Sequence, residues 1–375
     1  MTGPAPEPQA QPAPGSADVR ARARAAWAWV TLPLGIALAS RAYSGLLVLA
    51  ANALSHPHRR DPFAAWDAGW YLQVARGGYH AAPVTLTATN VHHDFAFFPL
   101  WPLLIHATTL DPVPAAVSAV ALANLLFVAA GVLTWRLLAD RFGASTATGA
   151  VALLAFNPAA YVFSLAYSEP LFLLLAAGYF LSRREPVRHG LVSALAMLAR
   201  IAGAAIVVSA MVVALGTRGR ERQAAVLAVV LGCLAFAAWW TYVALLTHDP
   251  AGFLHGSPSW GRSAGLVQVL DLLRHHDPRR MAALAFTALI FAGSVLLLRR
   301  DPELAVYSMV AVALGLLPGG IVSSMPRYAL AAFPAFAALA ARLGRRGTLA
   351  LGIGFALAQW FFVSWAFVYP HVQPP

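Results

Sequence analysis

The chain has 375 residues, 59% of them hydrophobic and 11% charged, with a formal charge of +11 and a mean hydropathy of +0.66. A soluble globular domain carries about 25% charged residues, so the composition excludes a soluble enzyme and predicts an all-α, polytopic transmembrane protein. The positive charge does not point to nucleic acid, because most arginines sit in short clusters between apolar runs, as the positive-inside rule expects. Cys233 is the single cysteine, which excludes an intrachain disulfide and a cysteine metal site.

Residues 1–25 open with a Pro-, Ala- and Gln-rich stretch and read as a disordered cytoplasmic tail. Arg20, Arg22 and Arg24 hold that tail inside. Residues 26–369 read as one transmembrane domain, with residues 370–375 as a short outer tail. The first span, 27–54, carries Arg41. A large first outer loop, 55–112, follows with interfacial helices. Within it, DPFAAWDAGWYLQVARGG at 61–78 predicts one short helix, with Asp61 as cap, Pro62 at the first position and Gly77-Gly78 as the stop. Phe63, Trp66, Trp70 and Val74 then share a face suited to a membrane surface, with Asp67 and Tyr71 one turn apart on its flank. The stretch 95–110 is short for a span and broken by Pro99 and Pro102, so a partly inserted element is expected.

Spans are expected at 113–138, 144–163 and 170–182. The apolar run 189–216 is one span long, yet both its flanks, SRREPVRH and TRGRERQ, are basic. One crossing would put one flank outside. The run is therefore expected to split near Arg200 into two short helices that enter and return, with the arginine facing a wet cavity. Further spans are expected at 223–246, 281–298, 303–321, 327–341 and 348–368, with a second outer loop at 247–280. No internal repeat is visible, which counts against a transporter built from repeated halves.

Asp67 is the candidate general base, a carboxylate beside two tryptophans at the bilayer edge. The alternative is an aspartate favoured by a helix N-terminus. Arg41 and Arg200 interrupt apolar segments, where an arginine costs about 2.5–3.5 kcal/mol and is retained for a partner or by snorkelling. With Arg327, which follows Pro326, they suggest a phosphate-bearing ligand, since guanidinium binds phosphate bidentately. Trp66, Trp70, Tyr71, Asn157, Tyr167, Ser168, Glu169 and Tyr328 are candidates for lining the substrate cavity; Asn157 and Glu169 read equally well as helix boundaries. His92-His93-Asp94 has metal-ligand residue types without metal-ligand spacing, so no metal is expected.

WDAGWYLQVARGGY at 66–79, FFPLWP at 97–102, NPAAYVFSLAYSEPLF at 157–172, LARIAG at 198–203 and PRYALAAFP at 326–334 occur in that order. Together they resemble the PIG-V-like mannosyltransferases, membrane glycosyltransferases of the GT-C fold, over 41–334. The resemblance implies a polyprenyl-phosphate-mannose donor, a lipid or glycan acceptor, and an inverting transfer without metal or other cofactor on the outer face. It maps the acidic residue of the first outer loop onto Asp67. It maps the arginine motifs onto Arg200 and Arg327, and the tyrosine-serine-glutamate motif onto Tyr167, Ser168 and Glu169. The competing readings are a flippase for lipid-linked saccharide, with arginines carrying the phosphate, and an inactive accessory subunit of a glycosyltransferase.

Overall fold

A computed structural model describes residues 16–80, 93–255, 274, 277–316 and 324–368. Among them every regular element is helical. In chain order these are α1 (Ser16–Leu54), α2 (Asp67–Gly77), α3 (Leu100–Thr108), α4 (Ala115–Phe142) and α5 (Ala144–Phe156). Then come α6 (Glu169–Leu181), α7 (Pro186–Ala199), α8 (Gly203–Gly216), α9 (Gly219–Thr247) and α10 (Gly252–His255). The last four are α11 (Pro278–Leu296), α12 (Pro302–Leu316), α13 (Met325–Ala329) and α14 (Ala335–Val368).

Among the described residues, five helices are long and apolar enough to cross a membrane: α1 from Trp29, α4, α9, α11 with the turn that follows it, and α14. Leu125, Leu245 and Leu357 stand exposed on such apolar faces, where a bilayer, not water, is the fitting solvent. The molecule is a multi-pass membrane protein. Four further helices, α5 to α8, have only 13 or 14 residues each and pack within the bundle, α5 against α14 and α7 against α9.

The chain departs from expectation in several places. Residues 16–25, expected as disordered tail, already belong to α1, because Arg and Ala in ADVRARARAAW are strong helix formers; residues 1–15 lie outside the described residues, as does the outer tail from 369. The stretch 95–110 is no departure: its nine-residue α3 is too short to cross, as its length and prolines led one to expect. The span expected at 144–163 stops at Phe156, where Asn157-Pro158 ends the helix, and a 3-10 turn follows at Ala160–Ser164. The span expected at 327–341 opens instead with the short α13 and a 3-10 turn, and its helix proper starts at Ala335; α14 then breaks at Gly344 (φ +64°, ψ −176°), between 341 and 348 where the two spans were expected to part.

The split near Arg200 is present. α7 ends at Ala199, Arg200 is extended at φ −163° and ψ 155°, and α8 starts at Gly203. The reversal depends on Gly203: a Cβ there would lie 2.5 Å from Met197 Cα and 2.6 Å from Met197 N. Backbone cannot yield as a side chain can. Gly203→Ala is therefore expected to cost about 1–3 kcal/mol of overpacking, read as a lower midpoint of thermal unfolding in detergent. Gly216→Ala is the control, since its Cβ would meet nothing within 4 Å.

The charged groups divide between two ends of the bundle. Beyond the C-terminus of α6, Arg183 Nη1 lies 3.2 Å from Glu303 Oε2, which Arg141 Nη2 also approaches at 3.4 Å. Arg141 Nη1 is 2.5 Å from Asp301 Oδ2. These bonds gather the DRFG, SRREP and RRDPE segments at one end. The N-terminus of α6 is at the other, with Glu169.

Candidate functional site

The loop after α1 approaches that second end in two steps, not as one helix. A 3-10 turn covers Pro62–Ala64, Asp61 makes no side-chain cap, and Trp66 adopts φ +54° before α2 begins at Asp67. A positive φ is uncommon for a bulky residue and persists only when its surroundings over-determine it. Here the Trp66 ring is held edge-on to Phe367, with centroids 4.8 Å apart, and lies 5.0 Å beneath the Arg59 guanidinium. The consequence is that Asp67 becomes the first residue of a helix, where free backbone N–H groups and the helix dipole favour an anion. Phe63, Trp66, Trp70 and Val74 thus do not form one helical face; Trp70 stacks on Phe97, with centroids 6.0 Å apart and planes 9° apart.

A second connection fixes the opposite wall. The Ala166 N–H donates to Phe63 O at 3.0 Å, and its carbonyl accepts from Trp101 Nε1 at 3.1 Å. Tyr167, Ser168 and Glu169 are thereby set against the loop that carries Asp67. Pro170 in the first turn keeps α6 starting at Glu169.

Four charges meet there. Arg327 Nη1 lies 2.5 Å from Asp67 Oδ2, and Arg327 Nε lies 2.8 Å from Glu169 Oε1. Arg200 Nη1 lies 2.5 Å from the same Glu169 oxygen and donates to Ser168 Oγ at 3.1 Å. Ser168 Oγ is also hydrogen-bonded to the Tyr71 hydroxyl at 2.7 Å. The Arg327 guanidinium stands 5.0 Å from the Tyr167 ring centre and 5.4 Å from that of Tyr328. The side chains of Glu169, Arg327 and Arg200 are 5%, 7% and 11% exposed, and that of Asp67 is 23%. Asp67 is thus the member that solvent or a ligand reaches. Burial pushes the Tyr71 hydroxyl up to about 12, against the pull of Arg200, so at neutral pH it stays a neutral phenol and accepts no proton from a substrate.

Two candidates belong elsewhere. Arg41 does not join the cluster. Its Nη1 donates to Ala160 O and Ser164 Oγ, both at 2.9 Å, its Nη2 to Ala155 O at 3.3 Å, and its guanidinium lies 4.1 Å over Phe127. It serves the carbonyls left open where α5 stops and is a structural arginine. Asn157 is fully buried, donates to Leu154 O and accepts from the Ala159 N–H, so it shapes the same break.

The histidine-aspartate group is also committed locally. Asp94 Oδ2 is 2.7 Å from His80 Nδ1 and accepts the His80 main-chain N–H at 3.0 Å. His93 stacks on Phe95 at 5.0 Å, and His92 lies outside the described residues. Among the described residues no three His, Cys, Asp or Glu side chains gather as metal ligands would. The sequence reading did not find the apolar cavity of about 540 Å³ beside the C-terminal half of α2, walled by Val74, Tyr79, Pro102, Leu198, Trp239 and Tyr242. Asp67, Arg200 and Arg327 do not line it. The signal in the sequence was the aromatic run WWTY at 239–242, inside the span expected at 223–246.

In fold the chain is similar to the oligosaccharyltransferase of Archaeoglobus fulgidus, solved with a disulfide-tethered acceptor peptide containing the NVT sequon. The TM-score is 0.50, over 88% of this chain and 54% of that one, at 14% identity. The chain spans about half the length of that protein. The fold is GT-C, and the chain is a membrane protein of that fold. In sequence, the family described as Mannosyltransferase (PIG-V) matches residues 48–220, which bears out the resemblance read from the motifs. That stretch is just under half of the chain; it contains Asp67, Glu169 and Arg200 and ends before Arg327. No curated protein sequence matches.

Proposed function

We propose that this protein transfers a hexose, mannose in the first instance, from a polyprenyl phosphate to a hydroxyl of a lipid-linked or glycan acceptor, with inversion. The observation that carries the reading is the quartet of Asp67, Glu169, Arg200 and Arg327: the more exposed carboxylate sits on Arg327, whose guanidinium shares the buried carboxylate of Glu169 with that of Arg200. Transfer from a lipid phosphate poses two electrostatic tasks, removing the acceptor proton and neutralising the departing phosphate. Asp67 takes the proton from the acceptor hydroxyl. The acceptor oxygen bonds to the anomeric carbon as the carbon–oxygen bond to phosphate breaks. The electron pair stays on the phosphate oxygen, which Arg327 and Arg200 stabilise. No metal is needed for either task, and no cofactor is assigned. The positive-inside rule, applied to the arginine clusters of the other end, supports a cytoplasmic position for that end and the N-terminus, and an outer position for the quartet.

The test uses purified full-length protein in lipid nanodiscs with polyprenyl-phosphate-[¹⁴C]mannose and a membrane extract as acceptor source. Label is expected to move into a new lipid or glycan product, at a rate unchanged by EDTA. Movement of the intact donor across vesicles without any transfer would replace the reading by the flippase.

A further inference from the structure

Inversion in one step places the base and the leaving phosphate on opposite sides of the sugar carbon. In the structure Asp67 and Arg327 touch, at 2.5 Å, and leave no room for a sugar between them. We propose that the donor phosphate takes the place of Asp67 on Arg327 Nη1 while Glu169 keeps hold of Arg327 Nε, so that the base is released only once the donor is bound. This rests on the function proposed above and adds an order of events to it.

The geometry decides which member of the pair moves. Arg327 is held elsewhere too, by Glu169 at 2.8 Å and by the faces of Tyr167 and Tyr328. Glu169 is itself fixed as the first residue of α6 and is shared with Arg200 at 2.5 Å. Asp67 is the most exposed of the four, stands at a helix N-terminus, and follows a residue at positive φ. The helix dipole gives its carboxylate a favourable place when Arg327 turns to another anion. A sugar phosphodiester carries one negative charge, as the carboxylate does, so the exchange leaves the quartet electrically balanced. Glu169 is then a positioning residue: it spaces the two guanidiniums about one carboxylate oxygen and keeps Arg327 from following Asp67.

The probe is polyprenyl monophosphate, titrated into the purified full-length protein in detergent. Asp67→Asn is expected to bind it about tenfold more tightly than wild type, because Arg327 no longer has to give up an anion. Any removal of negative charge near the site would also favour an anion, and Glu169→Gln controls for this. It deletes the same charge but leaves Asp67 on Arg327, so it should tighten binding by clearly less than Asp67→Asn does. Asp67→Ala serves if Asp67→Asn does not elute and melt as a folded protein. Equal or weaker binding by both Asp67 variants would overturn the exchange, as would equal tightening by Glu169→Gln. If wild type and every variant fail to bind the probe, the polyprenyl-phosphate donor itself is wrong and the exchange falls with it.

Discussion

Asp67→Asn is expected to lower the rate of sugar transfer by about 10²–10⁴-fold, the usual worth of a general base, with kcat carrying the loss. The amide keeps the shape of the side chain and its contact to Arg327 but cannot accept the proton. The other carboxylate of the quartet does not replace it: Glu169 is 5% exposed, and one of its oxygens already faces two guanidiniums. Tyr71 does not either, because burial keeps its hydroxyl protonated up to about pH 12. The check is a kcat and KM comparison in the radiolabel transfer assay, with matched thermal unfolding midpoints. Transfer by Asp67→Asn at the wild-type rate would remove Asp67 from the chemistry.

Arg327→Ala is expected to do more than weaken donor binding. It withdraws the cation shared by Asp67 and Glu169 from a place where Arg327 is 7% exposed. Breaking a buried pair by removing one partner costs about 3–5 kcal/mol, because the remaining charge is left uncompensated. Arg200 stays on Glu169, which keeps the loss toward the lower end. Arg327→Lys should lie between, since a point charge cannot meet Asp67 and Glu169 from two nitrogens at once. The measurements are the unfolding midpoint in detergent and the donor KM, which should rise for Lys and be unmeasurable for Ala.

How much of this was legible in the sequence varies from residue to residue. The hairpin around Arg200 was, because charge on both sides of a single-span run leaves one topology that keeps both flanks on the same side. The grouping of DRFG, SRREP and RRD at one end followed from the same rule. The pairing of Asp67 with Arg327, 260 positions apart, was not. Spacing along the chain says nothing of distance in space, and only the ordered motifs connected the two. Arg41 misled for a physical reason. An arginine in an apolar span looks the same whether it faces a ligand or backbone carbonyls freed by a broken helix. The break that needs it, α5 ending at Phe156, was expected seven residues later. The helix expected across 61–78 failed at Trp66, because apolar periodicity carries no sign of a positive φ. Glu169 was marked only as a cavity wall or helix boundary. A lone acid opening an apolar helix was the signal that it neutralises something.

The shortness of α6 sets the depth at which any chemistry takes place. At 1.5 Å per residue its 13 residues reach about 20 Å, against about 30 Å for the hydrocarbon core of a bilayer. If the Arg141–Arg183–Glu303 lattice lies level with one headgroup plane, the quartet sits roughly 10 Å below the other. A lipid carrier would reach that depth from the side without lifting its tail out of the membrane. A glycan acceptor would have to reach it from water, which favours slender chain ends over bulky folded partners.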